Sequence, residues 1–203
     1  LEGGYKFYVE GTGSNGEWAS KYFRVYGYDP IASLEDGGFI VTWASDSKTD
    51  DRDDNGDGVF GQRYDANGQK VGDSFLVNTY TDGRQTNSDV IGLKDGGFVV
   101  VWESEGQDGS GYGIYMQRFD VNSNRVGEET RVNDTIATNQ SSPEITNLDN
   151  GGFVIVWQSE QLTQLNSGEN DIYIKIYDAN GIATGEILVN DVLTENQEAP
   201  NIS

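Results

Sequence analysis

The stretch Leu93-Lys94-Asp95-Gly96-Gly97-Phe98-Val99-Val100-Val101-Trp102 decides how this chain folds, because it is written three times. One copy opens as Leu34-Glu35-Asp36-Gly37-Gly38-Phe39 and runs to Trp43. Another opens as Leu148-Asp149-Asn150-Gly151-Gly152-Phe153 and runs to Trp157. The three Gly–Gly pairs begin 59 and 55 residues apart. A second phrase follows each copy: Gln62-Arg63-Tyr64-Asp65-Ala66-Asn67-Gly68, Gln117-Arg118-Phe119-Asp120-Val121-Asn122 and Lys175-Ile176-Tyr177-Asp178-Ala179-Asn180-Gly181. A third phrase closes each unit with Val77-Asn78, Val132-Asn133 and Val189-Asn190. Self-similarity at a fixed period of this length is the mark of a repeat architecture.

Each unit reads as four short strands. The first is exemplified by Pro143 to Leu148, and an Asp-Gly or Asn-Gly turn, the strongest short hairpin signal, follows it. The second, Phe153 to Trp157, is apolar on both faces and must be covered on both sides. The third, Ile172 to Tyr177, alternates and ends in Asp-Ala-Asn-Gly, whose Asp and Asn cap turns with their own side chains. The fourth is Glu186 to Asn190. No segment carries a helical period. Four antiparallel strands in about 50 residues match one propeller blade, and a both-faced apolar strand is what stacked blades need. A sandwich would show cleaner one-sided alternation, and a solenoid would have shorter repeats. The expectation is therefore a single all-β domain over residues 1–203, a four-bladed β-propeller-like array. Its units fall near 29–87, 88–141 and 142–198, with a fourth split between 199–203 and 1–28.

The split follows from phase. The fourth-strand valine precedes the next unit's first-strand apolar residue by 13 positions each time: Val77 to Val90, Val132 to Ile145, Val189 to Ile202. The opening Gly3-Gly4-Tyr5-Lys6-Phe7-Tyr8-Val9 matches a second strand. Closure within one molecule, head-to-tail pairing between molecules and an arbitrary cut of a longer array all fit this phase. An unpaired sheet edge is otherwise a liability, and contacts that do not close make filaments or oligomers. The split unit is short: Gly3 to Val25 covers 22 residues, against 36 to 40 in the other units. With no initiator Met and no signal-like segment, Leu1 reads as the start of a mature or excised piece.

Composition narrows the partners. The chain has 203 residues, 34 acidic against 13 basic, and a formal charge of −21. Such a surface repels phosphate backbones and anionic membranes, so no nucleic acid and no membrane insertion are expected. No apolar run approaches the roughly 18 residues that span a bilayer. There is no Cys and no His, which removes disulfides, thiolate metal sites and the usual general base.

One loop points to an ion. Asp46 to Asp57 holds six carboxylates, and Asp53-x-Asn55-x-Asp57-Gly58 fits the front half of an EF-hand-type calcium loop. The twelfth loop position is Tyr64 rather than a bidentate Glu, so a full EF-hand is excluded. Asp51, Asp50 or the Val59 carbonyl would complete the set. The expected ligands of Ca2+ are Asp51, Asp53, Asn55 and Asp57; the competing reading is a solvated acidic insertion. Of the matching loops, Glu105 to Gly111 lacks the spacing, and Asn166 to Asp171 has oxygens but no clear order.

The run Asp95 to Trp102, then Gly109-Ser110-Gly111-Tyr112-Gly113-Ile114-Tyr115, then Gln117-Arg118-Phe119-Asp120, resembles repeats of very large secreted RTX-type calcium-binding bacterial adhesin and surface proteins. The DxDxDG loop is similar to calcium loops in the propeller repeats of integrin α chains. Gly61 stands where that loop would carry a further Asp. The resemblance covers residues 29–203. It implies an extracellular or cell-surface, calcium-stabilised, non-catalytic module.

Three functions compete on the residues. A structural or adhesive surface module follows from the repeats, the acidity and the missing Cys and His. A calcium-dependent carbohydrate-binding module, with a cell-surface glycan as partner, would use Trp18 and Tyr112, which lie outside the repeat pattern; Trp43, Trp102 and Trp157 belong to the core. A glycoside hydrolase would need two carboxylates about 5–10 Å apart. The Asp65, Asp120 and Asp178 series recurs in every unit, which argues for structure over catalysis. Three sequons, at Asn133, Asn139 and Asn201, matter only in a source that glycosylates them.

Overall fold

The computed structural model describes residues 30–46, 57–162, 167–190, 196–197 and 200–202. Twelve strands lie among them: β1 (Ile31–Ser33), β2 (Phe39–Asp46), β3 (Asp57–Tyr64), β4 (Lys70–Leu76), β5 (Gln85–Gly92), β6 (Phe98–Glu105), β7 (Tyr112–Phe119), β8 (Arg125–Arg131), β9 (Gln140–Asn147), β10 (Phe153–Leu162), β11 (Ser167–Tyr177) and β12 (Ile187–Leu188). They form three four-stranded antiparallel meanders, β1–β4, β5–β8 and β9–β12. The sequence repeat is thus a repeat of sheets, and the all-β, propeller-like expectation holds.

The repeated residues explain the hairpins. Gly37, Gly96 and Gly151 take φ of +82°, +83° and +86°, a region that costs a side chain energy. The second glycine of each pair has a different reason. A Cβ on Gly38, Gly97 or Gly152 would run into the carbonyl oxygen of Tyr64, Phe119 or Tyr177 on the neighbouring strand. Just beyond, the aromatic residues of the first and second phrases stack across the strand pair. Phe39 lies on Tyr64 at 4.8 Å, Phe98 on Phe119 at 4.9 Å and Phe153 on Tyr177 at 4.7 Å. Such cross-strand pairs pin register.

The polar repeats close the backbone. Asp65, Asp120 and Asp178 each accept two amides of their own turn through Oδ1. Asn78, Asn133 and Asn190 accept the Val59, Ile114 and Ile172 amides at 2.9, 2.8 and 2.8 Å. Each stands in for a ladder bond where the fourth strand leaves its neighbour.

The both-faced strand serves two cores. Phe98, Val100 and Trp102 of β6 pack with Leu34, Ile40 and Val77 of the first sheet. Val99 and Val101, on the opposite face, pack with Ile145, Ile155 and Trp157 of the third. Alternation of Cβ atoms makes this division automatic. The innermost strands are the first of each sheet, since β5 packs against both β1 and β9. The apolar second strand lies beside it.

Several bounds differ from the sequence reading. β9 starts at Gln140 rather than Pro143, because Ser142 at φ +53° makes a bulge opposite Val156–Gln158 that absorbs the proline. β10 and β11 extend beyond Trp157 and before Ile172. β12 is only Ile187–Leu188, while Glu186 turns to the preceding sheet, where its Oε2 accepts the Asp134 amide at 2.6 Å. Residues 1–28 and 199 of the expected split unit lie outside the described residues; of its other residues, Pro200 to Ile202 are described.

Candidate functional site

The chemistry gathers where β5 and β9 begin and β6 ends. Glu103 follows Trp102 on β6 and is 5% exposed. Its Oε1 accepts the Asn87 side-chain amide at 2.9 Å and the Ser142 backbone N–H at 2.7 Å. Asn87 and Ser142 occupy equivalent bulge positions with φ of +48° and +53°. Burial pushes the Glu103 carboxyl up, and these two donors pull it part of the way back. Asp89 sits one turn of the pleat further along β5. Its Oδ1 accepts the Val90 amide at 2.8 Å and its Oδ2 accepts the Ile145 amide of β9 at 2.9 Å. Burial raises this carboxyl, and the nearby Glu144 charge adds to the rise.

A second group lies at the same end, farther out. Arg84 Nε donates to Asp57 Oδ2 at 2.8 Å. Tyr112, the first residue of β7, is half-buried and donates its amide to Asn139 Oδ1 at 3.1 Å. Burial raises the Tyr112 phenol, and the Glu105 charge reinforces it, with Arg84 opposing.

The expected site residues therefore fare differently. Asp57 is placed, and its carboxylate carries an ion pair with Arg84. Asp51, Asp53, Asn55 and Trp18 lie outside the described residues. Tyr112 is brought beside Arg84 and Glu105. Among the described residues, no group of three or more acidic side chains gathers as a metal cage. A polar cleft of about 410 Å³ opens between the first two sheets, walled by Thr79, Gln117, Arg125 and Glu129, with no aromatic ring in its wall.

Three residues escaped the sequence reading: Asp89, Glu103 and Lys175. Lys175 is 6% exposed, and its Nζ donates to Val132 O at 2.6 Å and Asp134 Oδ1 at 2.7 Å. The signal was present as a break in the repeat. Glu103 stands where the other units have Ala44 and Gln158, and Lys175 where they have Gln62 and Gln117. Chemically, Asp89 and Glu103 accept backbone amides of the next sheet, so they act as clasps between sheets.

No protein-family model and no curated protein sequence matches the chain. Solved structures do match in fold. An endo-arabinase from Bacteroides thetaiotaomicron superposes with a TM-score of 0.51 at 13% identity, over 87% of this chain and 68% of that one. The Hadza microbial sialidase Hz136 gives 0.54 at 13%, over 87% and 42%. A protein of unknown function from Dyadobacter fermentans gives 0.55 at 12%, over 81% and 55%. This chain thus spans from about two-fifths to two-thirds of these three chains. At such identities the likeness is one of architecture: stacked four-stranded sheets of the β-propeller kind.

Proposed function

We propose that this chain is a non-catalytic structural or adhesive module of the cell surface or extracellular space, stiffened by calcium. The observation that carries the reading is the use made of the polar repeats. Asp65, Asp120 and Asp178 close turns, the three Asn residues cap strands, and Glu129 and Glu186 hold the Thr79 and Asp134 amides of the preceding sheet. Groups committed to backbone amides hold sheets in place and are not poised for proton transfer. Calcium enters from the spacing of Asp51, Asp53, Asn55 and Asp57, with Asp57 shared between the ion and Arg84. Chelation tests it: melting in EDTA should fall by several degrees against melting in millimolar calcium, and an unchanged transition removes calcium from the reading. Incubation with a panel of aryl glycosides should release no phenol; turnover lost on Asp89→Asn would return the chain to the enzymes.

A calcium-dependent glycan-binding role is the second reading. It is favoured by the fold shared with an endo-arabinase and a sialidase, and by Tyr112 beside Arg84 and Glu105 on one rim. A glycan array in calcium separates the two, since the structural reading expects no hits.

A further inference from the structure

At the cleft between the first two sheets, buried oxygens collect without donors. Gly113, Tyr115 and Gln117 alternate along β7 and so share the face turned to the first sheet. Gln117 is 1% exposed. Its Nε2 donates to the Arg118, Val126 and Gly127 carbonyls at 2.8, 3.3 and 3.4 Å. Those bonds fix the amide and turn Oε1 toward the floor of the cleft, where no donor meets it among the described residues. The loop before β7 adds two more such oxygens. Gln107 Nε2 donates to Glu129 Oε1 at 2.6 Å, so its Oε1 faces away from that carboxylate, buried and without a donor. Asp108 Oδ1 accepts the Ser110 amide at 3.0 Å, but its Oδ2 is buried and unpartnered among the described residues. That oxygen lies over Gly113, where a Cβ would come within 2.8 Å of it and 3.2 Å of the Tyr115 ring. Burial first, then the Asp108 charge with Glu129 adding to it and Arg131 opposing, pushes the Tyr115 phenol up to about 12. Both carboxylates therefore stand near one ring.

A buried carboxylate oxygen and two buried amide oxygens without donors are costly to hold together unless a cation meets them. All three are closed to bulk water, and so to a hydroxyl ligand, whereas a bare ion is smaller. The neighbouring joint supplies its cation from within. Lys175 stands where Gln117 does, and its ammonium reaches Val132 O and Asp134. At the first joint the nearby guanidinium groups are directed elsewhere, Arg125 to the Leu76, Val77 and Asn78 carbonyls and Arg131 to Asn133 O. Carboxylate and glutamine carbonyl oxygens are the donors that a hard divalent ion takes. We infer that Gln107, Asp108, Gln117 and Glu129 form a divalent-cation site on the second sheet, of the class that takes Ca2+. The site is separate from the Asp51–Asp57 loop and does not rest on it. Its ion ties the β6–β7 loop to β7 and β8 and, because Glu129 also holds the Thr79 amide and hydroxyl, to the first sheet.

An Asp51→Asn/Asp53→Asn background silences the other loop. In that background, Tb3+ excited through tyrosine should report one saturable site that Ca2+ competes away, and Tyr115→Phe should cut the emission at unchanged stoichiometry. Asp108→Asn, which keeps an acceptor for the Ser110 amide, should weaken Ca2+ binding in calorimetry by at least about tenfold. Gln107→Glu adds a negative charge beside Glu129. It should tighten Ca2+ binding while lowering the melting temperature of the metal-free chain, a pair of opposite signs that a purely structural role does not produce. One ion bound equally by the unaltered protein and by the background would uphold the inference and remove the Asp51–Asp57 loop from the calcium reading. No saturable site in the background overturns the inference. So does an affinity that neither Asp108→Asn nor Gln107→Glu changes.

Discussion

The joint between the first and second sheets and the joint between the second and third share one geometry and differ in chemistry. At both, a glutamate of the later sheet holds an amide of the earlier one, Glu129 to Thr79 and Glu186 to Asp134. At the second joint, two carboxylates of the middle sheet, half-buried Asp89 and buried Glu103, also receive the third sheet, through Ile145 to Asp89 and Ser142 to Glu103. The first joint has Pro30 and Ala44 at those positions, and a hydroxyl pair, Thr42 and Ser88 at 3.1 Å, crosses there instead. Several cations cross each joint, and the two that hold the end of the earlier sheet's fourth strand come from different strands. Arg125 of β8 reaches the Leu76, Val77 and Asn78 carbonyls from an exposed position, whereas buried Lys175 of β11 reaches Val132 and Asp134. Stacking sheets at a fixed distance requires that the backbone groups at the joint be satisfied; it does not prescribe by what.

The largest expected effects test the shared geometry. Trp157→Ala and Trp102→Ala should each cost about 3–5 kcal/mol in denaturant unfolding, since both rings are fully buried in the two cores. Phenylalanine at these positions should separate the joints. Trp157 Nε1 donates to Gln140 Oε1 at 3.1 Å, while Trp102 Nε1 has no acceptor among the described residues, so Trp157→Phe should cost about 1 kcal/mol more than Trp102→Phe. Equal losses would break the comparison.

Lys175→Met should come next, at about 2 kcal/mol, because it strips donors from the Val132 carbonyl and from Asp134. Asp134 owes its lowered carboxyl first to Lys175, so its pKa, followed by NMR, should rise in the variant. Arg125→Met, at an exposed position, should cost under about 1 kcal/mol. A larger loss at Arg125 than at Lys175 would reverse the ranking of the two joints.

Glu103→Gln sharpens the contrast through pH. Burial raises the Glu103 carboxyl above its ordinary 4.5, so the folded chain holds that proton more readily than the unfolded chain. Its stabilising contribution is therefore complete below pH 4.5 and fades as pH rises through the raised value. At pH 7 the glutamine variant should match or exceed the parent, with the gap closing toward pH 4.5 in urea titrations. Gln158 shows that the third sheet already accepts glutamine at this position. Glu103→Ala should lose about 1–3 kcal/mol at either pH, because the Ser142 and Asn87 donors lose their acceptor. A gap that does not change with pH would remove Glu103 from the account.

The smallest effect concerns a pair that changes together. Asp36 holds Arg63 and Asp95 holds Arg118 at the hairpin mouths, and the third unit has Asn150 and Ile176 there. Asn150→Asp with Ile176→Arg should restore the pair and add at most about 0.5 kcal/mol, lost in high salt. A gain above 1 kcal/mol would mean that pairs with an exposed carboxylate matter more than that exposure allows.

How much was legible beforehand differs from residue to residue. Gly96 and Gly97 could be read as a hairpin, but only the neighbouring strand shows that the second glycine answers to the Phe119 carbonyl. Asp120 announced its turn, because an Asx turn is made within five residues. Glu103 and Lys175 looked like scattered substitutions. Their partners, Ser142 and Val132, lie 39 and 43 residues away, and no local pattern predicts which acceptor or donor faces a charged side chain across a joint.

Periodicity and turn chemistry are local, so the amino-acid order was enough to set the repeat, the four-strand unit, the hairpins and the alternating faces of Phe98 to Trp102. Which carboxylates are buried, which cation crosses which joint, and that the Ile202 amide meets Glu144 as the Ile145 amide meets Asp89, were decided by tertiary structure. The reason is that desolvation and cross-sheet hydrogen bonds depend on distances that exist only once the sheets have stacked.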